Sequence, residues 1–396
     1  MDERGPVVCV VGAGPAGLAV AHLLHQAGVP FVVLERQAAT ELRARMKAGL
    51  IERRTVDLLE PYGLADTIVE RGGRNAVCEF RADGEAFVFD YGALVGGRGH
   101  FIYPQQELVG DWAESLVAAG GEIRFETRVT GIEQDDEGVT VTAVAAGADE
   151  PETIRCEAVA CCNGAGAELV AAAGGDAFAV SYPFRWLTLI AAVAPSSHTV
   201  YGLHRRGFAG QMRRSETATR YMLEVPAGDV PDDWPDDRIW SELQRRLGVE
   251  GGPPLEQGEF VEKDVLDLRV RVRDPMQRGR VFFAGDSAHL ITPAGGKGMN
   301  LALQDAVELA AGLRERYGEG GSGGRLARYS ETRLPDVWRY QEFSNLMLGL
   351  LHAGSGAGDP AEAGFAYKLR RAKLDRLVHD PQYARWFAHA YAGVDG

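Results

Sequence analysis

Val7-Val8-Cys9-Val10-Val11-Gly12-Ala13-Gly14-Pro15-Ala16-Gly17 commits the chain to one kind of architecture. An uninterrupted apolar run is what a strand buried on both faces needs, and the glycines after it open a helix that continues to about Ala27. A second apolar run then ends at Leu34-Glu35. The G-x-G-x-x-G pattern therefore stands in its required setting, strand before and helix after, with an acid about 20 residues on. Gly12 permits the tight turn. Gly14 lets a pyrophosphate reach the backbone at the positive end of the helix, and Gly17 lets that helix press against the strand. Glu35 can accept from a ribose hydroxyl, which favours an adenosine with a free 2′-hydroxyl and hence FAD or NAD. Gly12, Gly14, Ala16, Gly17, Glu35 and the adjacent Arg36 form the first candidate cofactor-binding group.

Far along the chain a second segment has the same logic. Phe282-Phe283-Ala284-Gly285-Asp286-Ser287-Ala288-His289 runs on through Pro293-Ala294-Gly295-Gly296-Lys297-Gly298-Met299-Asn300 into an Ala/Leu-rich helix expected to end near Arg316. Asp286, a carboxylate at a strand tip, can accept from two ribose hydroxyls. The helix start around Gly298, Met299 and Asn300 offers free N–H groups and the positive end of a dipole. Between these two segments, Ala158-Val159-Ala160-Cys161-Cys162-Asn163-Gly164-Ala165-Gly166 is another apolar strand ending in a polar residue and glycines. Three glycine-rich strand ends call for one ligand.

The bulk properties narrow the partners. With 396 residues, 45% hydrophobic and 25% charged, the chain is ordinary globular material for one large or two interlocked domains. A net charge of -14 argues against nucleic acid or an anionic membrane, both of which reward basic patches. Cys9, Cys78, Cys156, Cys161 and Cys162 are odd in number and mostly lie inside apolar runs, so they read as reduced core residues. His and Cys show no metal-ligand spacing. No signal peptide is read at the start, and no apolar run approaches the roughly 18 residues of a membrane helix. A cytoplasmic location is expected.

Between the motifs, Leu42-Arg43-Ala44-Arg45-Met46-Lys47-Ala48-Gly49 is a basic cluster, either a solvated helix end or a source of charge toward pyrophosphate from Arg45 and Lys47. From Asn75 to Tyr103 short alternating segments, Val77–Phe80 and Ala86–Phe89, suggest an excursion into an antiparallel sheet. A helix starts near Gln105 and runs through Val117. From Tyr182 to Arg269 the composition again turns strand-rich and aromatic, so a second, antiparallel sheet is inserted into the nucleotide fold. After the glycine-rich joint Gly318 to Gly324 the tail is helical in pattern, with a kink expected at Leu334-Pro335. Trp338, Phe343, Leu346, Leu350 and Leu351 line an apolar face for the core or for a second subunit.

Together the glycine fingerprint, Leu34-Glu35-Arg36-Gln37, Tyr182-Pro183-Phe184 with Trp186, Arg206-Gly207-Phe208-Ala209, Asp274-Pro275-Met276-Gln277 and the Gly285-Asp286 segment resemble the group A flavoprotein monooxygenases, and within them the 4-hydroxybenzoate 3-monooxygenase family, over nearly the whole chain. The resemblance implies an α/β fold, an FAD-binding Rossmann-like fold with an inserted antiparallel-sheet substrate domain and a helical C-terminal region. Residues 1–74, 104–180 and 270–317 are then FAD-binding, 75–103 and 181–269 the substrate sheet, and 318–396 the helical C-terminal or interface region. It also implies FAD as cofactor, NADPH or NADH as reductant, O2 and a small aromatic carboxylate as substrates, a flavin hydroperoxide as the oxygen donor, and a homodimer. Glu35, Gln105 and Asp286 match family residues that hold the FAD ribose or phosphates. Arg45 and Lys47 match residues by the isoalloxazine and pyrophosphate, and the loop from Pro293 to Asn300 matches the one facing the flavin ring. Tyr201 matches the tyrosine that binds the substrate phenol, and Tyr391 the one linked to it.

Arg214 matches the residue placed for a bidentate carboxylate grip, and Arg220 one that supports the flavin and substrate region. The family's carboxylate-binding serine and tyrosine are replaced by Met212 and Met222, a loss of roughly 1–3 kcal/mol if nothing compensates. The histidine ending the family's proton relay is replaced by Asn75, its Asp-Gly motif by Asn163-Gly164, and a histidine linked to reductant binding by Gly166, while Arg269 is retained. The expected reaction is hydroxylation of a para-hydroxy or para-amino benzoate with an extra substituent. A reductase of the same fold and an FAD-binding protein without hydroxylase activity are the alternatives.

Overall fold

The computed structural model describes residues 6–44, 49–165, 177–318, 321, 323–354 and 360–393, so Arg45, Lys47 and Gly166 lie outside the described residues. The chain divides into two units. One comprises Met1–Gly73, Phe101–Ala179 and Val270–Glu342, and the other Arg74–His100, Val180–Arg269 and Phe343–Gly396.

In the first unit the apolar runs become the middle of a six-stranded sheet. Its order is Gln277–Arg278, Val281–Phe283, Ala158–Cys161, Val8–Val11, Phe31–Leu34, Ile123–Arg124. The four inner strands are parallel and almost wholly buried, as continuous Val, Ala, Cys and Phe runs must be when helices cover both faces. Helix Pro15–Gln26 crosses from the first strand to the second, with Leu18, Ala19, Val20 and Leu24 in the core. Helix Gly298–Tyr317 adds Leu301, Leu303, Ala306, Leu309 and Leu313 to the same core. Strand Val8–Val11 lies between Phe31–Leu34 on one side and Ala158–Cys161 on the other, so the chain leaves it in one direction and later returns on the opposite side. A crevice opens at such a reversal, beyond the carboxyl ends of the strands. A separate antiparallel meander, Thr127–Gln134, Val139–Ala145 and Glu152–Cys156, completes this part of the chain.

Within the second unit most of an eight-stranded sheet is found, in the order His289–Leu290, Phe260–Arg273, Ala177–Ala191, Thr219–Pro226, Ala209–Arg213, Thr199–Leu203, Val77–Ala82, Glu85–Asp90. Alternation along its strands separates two faces. Leu187, Leu189, Val200, Ala209, Tyr221 and Leu223 turn toward helix Asp236–Leu247 and meet its Ile239, Trp240, Leu243 and Leu247. Each large apolar side chain buried there stabilises by about 1.5–3 kcal/mol relative to exposure. The residues between them point to the opposite face. Helix Pro381–Ala392 covers part of that face with Phe387 and Tyr391, four residues apart on one side of the helix. The helix is well bounded: Asp380 accepts from the Gln382 and Tyr383 N–H groups, Pro381 follows, and Gly393 closes the end with φ 64°.

The tail departs from the sequence expectation in one residue and extends it in another. Helix Tyr329–Leu351 continues through Pro335 as a single element. Phe343, Leu350 and Leu351 are buried as the pattern requires, but Trp338 is 41% exposed and meets Phe178 edge to face. All five cysteines are free and buried. Among the described residues no helix is long and apolar enough to cross a membrane, and no cluster of His, Cys, Asp and Glu could hold a metal ion.

Candidate active site

The register of the first sheet assembles a nucleotide-binding edge. Val11 stands opposite Leu34 on one side and Cys161 on the other, and Cys161 opposite Phe283. Gly12, Glu35, Cys162-Asn163 and Ala284-Gly285-Asp286, the next residues in each strand, therefore line one border. Gly12 has φ +99°, and a Cβ there would lie 2.7 Å from the Cys162 carbonyl oxygen; a Cβ on Gly17 would lie 1.9 Å from that of Gly12. Only glycine fits at either place. A Cβ at Gly14 would meet no atom of the chain within 4 Å, and Gly14 precedes the helix without a side-chain cap. The helix N-terminus is thus open to an anion.

The acids are held in place. Glu35 accepts from the Ala13 N–H at 2.7 Å and the Gln37 N–H at 2.9 Å, tying the fingerprint loop to the second strand, and each oxygen keeps a lone pair for a ribose hydroxyl. The turn carrying Asp286 is anchored by Asp305, which accepts from the Gly285 N–H at 3.0 Å, and by Arg271, which donates to the Asp286 carbonyl at 3.2 Å. Among the described residues no donor meets the Asp286 carboxylate. Burial alone would raise the Asp305 carboxyl, but His289 and Arg333 outweigh it and hold it below its usual range. An orphaned acceptor, the buried Oδ1 of Asn163, lies on the same border. These features fit the pyrophosphate and ribose of FAD.

Other candidates fall into place unevenly. Gln105 is the first residue of helix Gln105–Ala118, and Gly298 the first of its own helix, with Met299 packed against the core. Ala16 is buried in the first helix turn, whereas Arg36 is exposed. Pro293 is exposed, and its carbonyl accepts from the Gly296 N–H at 3.0 Å, so that N–H is committed inside the turn rather than free for an anion. The Asn300 side chain is also committed. It accepts from the Glu52 N–H at 2.8 Å and donates to the Leu50 and Gly296 carbonyls at 3.0 Å each, so both of its amide protons are used within the protein. Next to it Lys297 is fully buried against Glu52 at 2.6 Å, and the Tyr340 hydroxyl donates to the other Glu52 oxygen. Sequence pattern gave no sign of this cluster, because Glu52 and Tyr340 belong to segments far from Lys297.

A second constellation lies on one face of the second unit's sheet. Tyr201 stands opposite Gly210, Gly210 opposite Met222, and Met222 opposite Thr188; one step of the alternation further, Met212 stands opposite Arg220. Opposed residues share a face, so Tyr201, Met212, Met222 and Arg220 point the same way, and Arg214 continues that alternation past Met212. Gly210 lies beneath Met222, and a Cβ there would sit 2.7 Å from the Met222 methyl carbon, so a larger residue would make the methionine side chain shift. The Tyr201 and Tyr391 hydroxyls are 2.8 Å apart. Burial pushes both phenols above their usual range. Arg220 is pulled down by burial and then by the charge of Arg214, and the Arg214 Nε is buried without a partner. Among the described residues neither guanidinium has a carboxylate within salt-bridge distance, a costly state that an anion relieves.

The fold and this edge define a flavoprotein, and comparison with known proteins gives the family. The family described as FAD binding domain matches residues 6–344. The p-hydroxybenzoate hydroxylase of Acinetobacter baylyi is 34% identical over 398 residues, covering 100% of this chain and 96% of that one. A putative polyketide hydroxylase of Streptomyces halstedii is 28% identical over 364 residues, covering 84% of this chain and 63% of its own. The crystal structure of p-nitrophenol 4-monooxygenase from Pseudomonas putida superposes with a TM-score of 0.82 at 23% identity, covering 98% of both chains. The chain belongs to the FAD-binding group A flavoprotein monooxygenases. It is an FAD-dependent aromatic monooxygenase, and NAD(P)H dependence is the general property of that family.

Proposed function

We propose that this monooxygenase hydroxylates a para-hydroxy or para-amino benzoate carrying a further ring substituent, with NADPH or NADH as reductant. The observation that carries this reading is the shared sheet face with Tyr201 at one end, two arginines lacking a carboxylate at the other, and Gly210, Met212 and Met222 between. Arg220 and Arg214 lie two and four residues along from the row containing Tyr201, roughly 7 and 13 Å at about 3.3 Å per residue. An aromatic ring with a polar group at one end and a carboxylate at the other spans that interval once an arginine side chain reaches inward. The likeness to a p-hydroxybenzoate hydroxylase supports the same substrate class.

FAD, when bound, supplies the reduction of O2 and the electrophilic oxygen. The chain's own residues do the rest. Arg214, with Arg220 beside it, orients the carboxylate by charge-assisted hydrogen bonds. Tyr201 meets the phenol and passes its proton toward Tyr391; because burial raises both tyrosines, they exchange protons as neutral hydroxyls and do not ionise on their own. A phenol that loses its proton is the better nucleophile toward oxygen. Met212 and Met222 offer soft apolar volume where neutral donors would otherwise be, which accommodates a ring substituent. The test is a screen of substituted benzoates for stimulated NADH or NADPH oxidation, with product mass. The expected result is a ring-substituted acid as best substrate and a gain of one oxygen. Best turnover of unsubstituted 4-hydroxybenzoate, or of compounds without a carboxylate, overturns the pocket assignment.

A further inference from the structure

The two arginines on the sheet face carry more charge than one carboxylate can match. Met212 stands opposite Arg220 and Arg220 opposite Ile190, so Arg220 lies in its row between two apolar side chains. Arg214 follows Met212 on the same face, and its backbone N–H donates to the Ala218 carbonyl at 3.0 Å across the hairpin. The two arginines are therefore diagonal neighbours on adjacent strands, and the charge of Arg214 acts on Arg220. The nearby acids do not cancel them. Glu216 lies 3.9 Å from Arg213, which alternation turns to the other face, and the exposed Glu262 acts on Arg220 only from beyond salt-bridge distance. Thr188, one row away, donates its hydroxyl proton to the Asp264 carbonyl at 3.2 Å. Among the described residues the pair holds two positive charges and meets no anion.

Charge and position together say what would satisfy both. A single carboxylate shared between the arginines leaves one positive charge unmatched, which is the costly state for a group drawn out of water. The rows give the two side chains different places along a bound ring. The Arg220 row is next to that of Tyr201, and Arg214 lies two residues further on. A ring with its hydroxyl or amino group at Tyr201 brings its carboxylate toward Arg214 and its flank past Arg220. The flank carbon nearest Arg220 is then the one beside the carboxylate-bearing carbon. A substituent there leaves free the carbons next to the hydroxyl or amino group, which that electron-donating group activates toward an electrophilic oxygen. Met212 and Ile190, on either side of Arg220, offer no hydrogen-bond donor, so an acidic substituent at this point has the guanidinium as its partner. An uncharged substituent leaves Arg220 as unpaired as before.

We propose that the further ring substituent is a second acid on the carbon next to the first carboxylate, and that Arg220 is the residue that selects it. The substrate is then a benzene-1,2-dicarboxylate with a hydroxyl or amino group para to one of its acids. This rests on the substrate class proposed above, and one experiment separates the two. The FAD-loaded enzyme is titrated by calorimetry with 4-hydroxybenzene-1,2-dicarboxylate and with 4-hydroxy-2-methylbenzoate, which fills the same position without charge. Wild type should bind the dicarboxylate about 10- to 100-fold more tightly, the fold-change of one charge-assisted hydrogen bond. Arg220→Gln should weaken both acids, the dicarboxylate far more, and bring them to about equal affinity. Arg214→Gln should weaken both by similar factors. If wild type binds the methyl acid as tightly as the dicarboxylate, or if Arg220→Gln keeps the preference, the second acid is wrong, while the benzoate class stands as long as the methyl acid binds and stimulates NADH or NADPH oxidation. If neither acid binds, both readings fall. Should Arg220→Gln lose its flavin, the wild-type ratio alone decides.

Discussion

Arg214 is the residue on which the proposed substrate choice turns. Its Nε is buried without a partner and its neighbour is another arginine, which is the basis for proposing that the site takes a ligand with a carboxylate. Arg214→Ala should raise KM for the aromatic acid about 10- to 100-fold, the equivalent of a charge-assisted hydrogen bond of roughly 1.5–3 kcal/mol, with a smaller effect on kcat in steady-state assays. Restoring neutral donors with Met212→Ser and Met222→Tyr should shift relative kcat/KM toward plain 4-hydroxybenzoate; an unchanged ratio would show that the methionines do not set the choice. Tyr201→Phe removes a hydroxyl 2.8 Å from Tyr391 and should slow oxygen transfer on the order of 100-fold while FAD titration stays unchanged. Tyr201, Met212 and Met222 were singled out by the family resemblance, and the strand register puts them on one face. The engagement of the Asn300 side chain by Glu52 and Leu50 was not legible in the sequence, because it depends on a segment about 250 positions away.

At the scale of elements, the helix Pro381–Ala392 and the sheet it covers set the tyrosine pair. Asp380 caps two N–H groups at the helix start, so Asp380→Ala should cost about 1 kcal/mol and lower the thermal midpoint, with a parallel loss of activity as Tyr391 loses its register. A second junction is the stack of Phe184, Trp186 and Phe208 around His352. The Trp186 Nε1–H donates to His352 Nε2 at 2.6 Å, which requires that nitrogen to be unprotonated, and burial drives the imidazole down to about 3. The unfolded chain binds a proton near pH 6.5 and the folded one does not, so stability present above about 6.5 is lost as the pH falls toward 3. The full effect is on the order of 5 kcal/mol. Denaturant midpoints measured from pH 7 to pH 4 should fall more steeply in wild type than in His352→Asn.

For the whole molecule, cofactor and stability are linked. The border of four strand ends is the site proposed for FAD, and FAD at 100 times its dissociation constant should stabilise the folded chain by about 2.7 kcal/mol. The purified protein should be yellow, with the flavin released by denaturation rather than bound covalently. The stripped protein should melt at lower temperature and recover on adding FAD. Asp286→Ala should lose both the colour and the recovery, since its carboxylate is the acid on that border with no donor of its own among the described residues. Retention of flavin by that variant would move the ribose contact elsewhere.

What the amino-acid sequence determined is what neighbours in the chain can enforce. Gly12 takes φ +99° and Gly17 meets the backbone of Gly12, both within one short loop, so the strand, helix and phosphate-facing turn were legible from local sterics, while the contact of Gly12 with Cys162 was not. Period-two alternation separates the faces within Ala209–Arg213 and within Thr219–Pro226, but the pairing of the two strands decided which of their residues share one. Tertiary structure decided the partners. The same apolar pattern left Trp338 at the surface and put Phe343 in the core, because another segment closed over one and not the other. The replacement of a titratable residue at Asn75 was visible in the chain, but the imidazole beside the tyrosines was not: His100 and Tyr391 are 291 positions apart. Local propensity carries no information about such a contact, since only the packing of the sheet, the Tyr91 turn and the last helix brings both ends to one place.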